Sequence, residues 1–197
     1  MTQPTLFAEM ERMVIDRRRF ITGAKQATLS AGAIAILTGC ASLAGDAHAD
    51  DKAMADDVAI LNSALGAERE AIAAYQVGAE SGLLSKGVLG VAVKFQGHHK
   101  EHADVLAKTI GQLGGTADAP MAKYDFPTDK LKSEADVLRF AAGLEKGAVS
   151  AYLGAVPLFG NRDLAKAAAS ILGDEAMHWA ILLHTLGEDP VPVAFVS

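Results

Sequence analysis

Gly173-Asp174-Glu175-Ala176-Met177-His178, followed by Leu182, Thr185, Leu186 and Gly187, decides how this chain is read. Glu175 and His178 stand three apart, the helical spacing that aims a carboxylate and an imidazole at one point. The stretch is also a second copy. Gly97-His98-His99-Lys100-Glu101-His102, followed by Leu106, Thr109, Ile110 and Gly111, falls on it after a shift of 76 positions (175 − 99). His102 then matches His178, and His99 stands where the second copy has Glu175.

Working outward from these copies, apolar residues recur at steps of three and four, the inward seam of a bundle helix. A helix over 57–80 carries Leu61, Leu65, Glu68, Ile72 and Tyr75 on its seam. A second, over 88–113, carries Ala92, Phe95, His99, His102, Leu106 and Thr109. A third, over 134–158, carries Leu138, Ala142, Glu145, Val149 and Tyr152, and a fourth, over 162–186, carries Ala168, Ile171, Glu175, His178, Leu182 and Thr185. Ser133 with Asp136, and Asn161 ahead of Asp163, are start signals for the last two.

Short loops over 81–87 and 159–161 make helix pairs antiparallel neighbours. The stretch 114–132, with Pro120 and Pro127, has no helical period. Two hairpins joined by one long crossover is the wiring of a ferritin-like, all-α four-helix bundle. The hairpins repeat each other, since Glu68 and Tyr75 match Glu145 and Tyr152 at an offset of 77 (145 − 68).

The chain has 197 residues and a formal charge of −6, enough for one domain with a proper core. No basic stripe exists to neutralise phosphates, which argues against nucleic acid as a partner. Asp16-Arg17-Arg18-Arg19-Phe20-Ile21, ahead of an apolar small-residue run, resembles a bacterial twin-arginine export signal. That resemblance implies a periplasmic destination, reached by the folded protein with any cofactor already in place. Two cleavage points stay open. Leu37-Thr38-Gly39-Cys40 looks like a lipobox, with Cys40 the candidate acylation site and lipid anchor, whereas Ala47-His48-Ala49 looks like an ordinary small-x-small site. The reading divides the chain into a signal over 1–49, a polar linker over 50–57, the bundle over 58–188 and an extended tail over 189–197, expected to lie on the bundle.

Six polar side chains stand on the apolar seams: Glu68, His99, His102, Glu145, Glu175 and His178. Burying three carboxylates beside three imidazoles is costly unless something binds them, and a metal ion or a pair of ions is the least forced solution. Tyr75 and Tyr152, two turns from Glu68 and Glu145, are candidate partners of those carboxylates. Met177 and Trp179 are expected to pack, and His98 and His184 to lie on the surface.

From Leu61-Asn62, Glu68, Tyr75, His99-x-x-His102, Glu145, Tyr152 and Glu175-x-x-His178, the segment from about Val58 to Leu186 resembles ferritin-like proteins. The resemblance is strongest to the branch with exported bacterial members and plant desiccation-related proteins. It implies a di-iron carboxylate site with a Glu from each of two helices and Glu-x-x-His from each of the other two. Glu68, Glu145, Glu175, His102 and His178 fill five of those six positions, and His99 departs from the sixth. An imidazole does not bridge two metals as a carboxylate does, so the site is either unequal or mononuclear. Its nitrogen-rich ligands favour iron, zinc or copper over magnesium or calcium, with iron the expected ion. Oxidation of Fe(II), or reaction with dioxygen or peroxide, is the implied chemistry. A non-enzymatic stress or envelope protein with a degenerate site is the rival. The assembly state stays open; a homodimer is compatible with the sequence and a cage is not required.

Overall fold

The computed structural model describes residues 47–196. Four helices follow one another, α1 (Ala47–Glu80), α2 (Lys86–Gln112), α3 (Glu134–Ala155) and α4 (Arg162–Thr185), with short 3-10 turns at Thr128–Lys130 and Val156–Leu158. Among the described residues there is no strand, and the architecture is an all-α four-helix bundle. The export signal, with Cys40, lies outside the described residues.

The start signals work as read. Ser133 Oγ accepts from the Asp136 amide, and its hydroxyl donates to the Asp136 carboxylate at 2.8 Å. Asn161 Oδ1 accepts from the amides of Asp163 and Leu164. Both side chains satisfy amides that the first helical turn would otherwise leave unpaired. Gly82, at φ 70°, makes the tight turn that closes the first hairpin.

Helix boundaries depart from the sequence reading at several points. The 50–57 segment expected as a linker is helical, because α1 begins at Ala47. Its last residue is anchored: the Asp57 carboxylate is buried and accepts from the amides of Gly160 at 2.8 Å and Asn161 at 2.9 Å. α1 is thereby pinned to the loop between α3 and α4. α3 gives way to a 3-10 turn at Val156, next to Pro157. In the tail, expected to lie on the bundle, the apolar side chains of Val191, Val193 and Phe195 are exposed.

The crossover is tied to α1 through Asn62, whose side chain donates to the Thr116 carbonyl at 2.9 Å and accepts from the Asp118 amide at 2.8 Å. Arg69 adds a bond to the Asp118 carbonyl. At its start, Gly115 has no room for a side chain, since a Cβ would come within 2.7 Å of Val58.

The apolar core is split in two. One layer holds Leu61, Leu65, Leu106, Ile110, Leu164 and Ile171, and the other Tyr75, Phe95, Leu138, Ala142, Leu182 and Leu183. Between them lies a polar layer. Small residues bring α1 and α3 together at its level, where Ala67 touches Ala148.

Candidate metal centre

The polar layer contains all six seam residues singled out from the sequence. Glu68, His99, Glu145, Glu175 and His178 are all but fully buried, and His102 is half-buried. They converge as two overlapping pockets. Glu68, His99, His102 and Glu175 surround the first, and His99, Glu145, Glu175 and His178 the second, each set with ligand atoms within 4.8 Å of one another. Each pocket takes three residues from its own hairpin and one from the other. The two that cross over and serve both pockets are His99 and Glu175.

These two are the repeat-related pair (99 + 76 = 175). His99 Nδ1 lies 3.6 Å from Glu175 Oε1, so the equivalent positions of the two copies face each other. Their neighbours His98 and Asp174 do the same at 3.1 Å. The first copy thus supplies two histidines where the second supplies two acids, and each histidine meets its acidic counterpart.

Around this axis the contacts are short. His99 Nδ1 is 2.6 Å from Glu68 Oε2, and its Nε2 is 3.3 Å from Glu145 Oε1. His102 Nδ1 lies 3.0 Å from Glu68 Oε1 and 3.3 Å from Glu175 Oε1. His178 Nδ1 lies 3.6 Å from Glu145 Oε1 and 3.5 Å from Glu175 Oε2. Tyr75 donates its hydroxyl proton to Glu145, whereas the buried hydroxyl of its counterpart Tyr152 has no hydrogen-bond partner.

Several of these contacts are close but misaligned. Glu68 Oε1, His102 Nδ1, Glu145 Oε2, both Glu175 oxygens and His178 Nδ1 are buried without a hydrogen bond. Buried polar atoms ordinarily have a partner. A tetrahedral ion with ligands at about 2.0–2.2 Å separates ligand atoms by roughly 3.3–3.6 Å, the range in which most of these pairs lie. The donor set of carboxylates and imidazoles suits a transition-metal ion, and the arrangement is compatible with metal binding.

The electrostatics describe what the cluster does with protons in place of an ion. Burial works against a charged His99, yet hydrogen bonds to Glu145 and Glu68 hold its imidazolium well above the usual range. His102 and His178 are likewise opposed by burial but raised to about 9 by the glutamates they touch. Glu145, despite burial, is held well below the usual carboxylate range by the His178 and His99 rings beside it. Burial pushes Glu175, the carboxylate shared by both pockets, up to about 7. Imidazolium rings therefore face the Glu145 carboxylate, while Glu175 readily keeps a proton.

A sequence model of the ferritin-like domain matches residues 56–188. The chain belongs to the ferritin-like family. Among solved structures, this ferritin-like chain is similar to a conserved hypothetical protein from Mycobacterium tuberculosis. The two are 26% identical with a TM-score of 0.62, covering 74% of this chain and 99% of that one. It shares its fold with a ferritin like, diiron-carboxylate protein from Bacillus anthracis str. Ames, at 20% identity and a TM-score of 0.59, over 68% of this chain and 97% of that one. No curated protein matches at a significant level.

Some residues behave differently from the sequence reading. His98, expected on the surface, is half-buried, with Nδ1 2.8 Å from His178 Nε2. Asp174, which the 76-residue shift places opposite His98, stands off the seam yet joins the cluster. It lies 3.3 Å from His178 Nε2 and 3.5 Å from His102 Nε2. Met177 is exposed and does not pack, whereas Trp179 does, with Lys146 over its ring at 5.9 Å. Thr185, on the expected seam, is exposed, whereas His184 lies on the surface as expected.

Proposed function

We propose that the ferritin-like bundle binds one or two transition-metal ions in its polar layer, iron being the best match to the ligand set, and that it oxidises Fe(II). The observation that carries this reading is the set of buried carboxylate and imidazole atoms that meet at ligand spacing without hydrogen bonds. Bound iron supplies one-electron chemistry with dioxygen or peroxide. The chain supplies the surroundings. Glu68 and His102 hold one pocket and Glu145 and His178 the other, with Glu175 able to serve both. His99 offers a nitrogen to either pocket, and so makes them unequal. Tyr75 fixes one Glu145 oxygen and leaves the second without a hydrogen bond. The two apolar layers keep bulk water from the site.

A second reading rests on the paired histidines and acids. His98 meets Asp174 and His99 meets Glu175, so each acid of the second copy has an imidazole of the first beside it without any ion. On that reading the bundle is a non-enzymatic stress or envelope protein, and its polar layer is structural.

Either way we place the protein outside the cytoplasm, exported folded by the twin-arginine route. Arg17-Arg18-Arg19-Phe20-Ile21 supports that placement, and Cys40 is the candidate point of lipid attachment. No described helix is long and apolar enough to cross a membrane.

Elemental mass spectrometry on protein purified without chelators, beside a Glu145→Ala, Glu175→Ala variant, separates the readings. Near-stoichiometric iron, zinc or copper in the parent and none in the variant establishes the site. Oxygen consumption on adding Fe(II) then tests oxidation. Two empty proteins, even after metal is offered, would overturn the metal reading.

A further inference from the structure

We propose that His98, Asp174 and the outward nitrogen of His178 form a separate docking site for a divalent transition-metal cation, from which the ion passes to the inner pockets. The handover rests on the metal reading above, whereas the outer site stands on its own geometry.

Phe95 stacks on the His178 ring, with centroids 4.0 Å apart and planes 22° from parallel. The ring is thereby held with its two nitrogens facing opposite ways. Nδ1 faces Glu145 and Glu175 inside, and Nε2 faces His98 and Asp174 outside. The three outer ligand atoms lie 2.8, 3.1 and 3.3 Å from one another. A tetrahedral ion would need slightly more, about 3.3–3.6 Å, which a small rotation of the half-exposed His98 provides. Two imidazole nitrogens and one carboxylate oxygen favour a first-row transition metal over magnesium or calcium.

Exposure separates this trio from the inner pockets. The side chains of His98 and Asp174 keep 32% and 23% of their surface in solvent, whereas His178 keeps 2%. A hydrated cation therefore meets His98 and Asp174 more readily than the inner ligands, of which His102 is the most exposed at 14%.

The shared ring makes the two sites exclusive. A neutral imidazole has one lone pair for a metal and carries its proton on the other nitrogen. His178 can therefore serve the outer ion through Nε2 or an inner ion through Nδ1, and handover moves its remaining proton from Nδ1 to Nε2 as the ion crosses from Nε2 to Nδ1. His102 repeats the arrangement, with Nδ1 toward Glu68 and Glu175 and Nε2 3.5 Å from Asp174.

Cobalt(II) is the probe, because its visible absorption reports coordination. The test begins with a Glu68→Gln, Glu145→Gln variant, which weakens both inner pockets and leaves the outer trio intact. Titration should show one weakly bound Co(II) per chain, lost on adding His98→Ala. No binding, or binding indifferent to His98, overturns the outer site. In the otherwise unaltered protein, His98→Ala should slow Co(II) uptake about tenfold or more in stopped flow. Equilibrium affinity of the inner pockets should change less than about threefold, below the cost of losing a residue that orients a ligand. An unchanged rate, or rate and affinity falling together, overturns the handover. If the unaltered protein never fills its inner pockets, the metal reading fails, and the glutamine variant still decides the outer site.

Discussion

His99 and Glu175 hold the same place in the two copies of the hairpin and meet at 3.6 Å in the centre of the bundle. A carboxylate at both places would set two negative charges against each other, tolerable only with cations between them. The imidazole removes that requirement. The His99→Glu variant should therefore bind two metal ions per chain, unfold more readily without them and oxidise Fe(II) faster. Loss of the buried cation should cost the metal-free form about 3–5 kcal/mol. Metal stoichiometry and thermal melts with and without Fe(II) check both halves.

The metal-free protein should be most stable on the acid side of neutrality. His102 and His178 are raised from 6.5 to about 9, so their stabilisation is complete below about pH 6.5 and lost as pH rises through 9. Glu175, raised from 4.5 to about 7, acts in the same direction, its protonated folded form losing advantage between those values. The melting temperature of chelator-treated protein should fall from pH 5 to pH 9, by about 10 °C or more for a domain of this size.

Metal binding should show the opposite dependence, because the ion must displace those protons. Affinity should rise with pH over the same window. Calorimetry in buffers of different ionisation enthalpy should detect release of about one to two protons per ion. Binding without proton release would show that the ion does not reach His102 or His178.

Tyr75 and Tyr152 occupy equivalent positions but should not respond alike. Tyr75→Phe deletes a hydroxyl that donates to the buried Glu145 carboxylate, at a cost of about 1.5–3 kcal/mol. Tyr152→Phe deletes a hydroxyl with no hydrogen-bond partner and should leave the metal-free protein unchanged or slightly more stable. Urea melts of the two variants make the comparison directly.

Asp57 is a remote point of weakness. Asp57→Ala would take the carboxylate acceptor from the amides of Gly160 and Asn161, at a cost of about 1.5–3 kcal/mol. Metal stoichiometry should be unchanged, since the carboxylate lies at the far end of α1's seam from Tyr75, three turns before Glu68. Loss of stoichiometry would show that the α3–α4 turn sets the pocket geometry.

The fold was legible because a strict step of three and four, repeated on four segments, leaves one arrangement that buries every seam. Glu68, His99, Glu145, Glu175 and His178 followed from the same rule. The seam fails where its assumptions do. Thr185 lies in the last turn of α4, where the drift between a seven-residue repeat and 3.6 residues per turn carries it to solvent. His98 and Asp174 precede seam residues and are turned about 100° from them, so periodicity assigns them to the surface. They are drawn inward because repeat-equivalent positions meet there, a relation visible only once the copies are superposed in space. The Asp/Ala segment before Asp57 read as a linker for its polarity, yet Ala-rich sequence is good helix material, and α1 simply continues through it.

Neither hairpin owns a complete set of inner ligands, because each borrows one residue from the other. Cut within its 114–132 crossover, the protein becomes two half-receptors. Tagged with a donor and an acceptor dye, the halves would reassociate more tightly when the right ion is present, and so report its concentration by their own assembly.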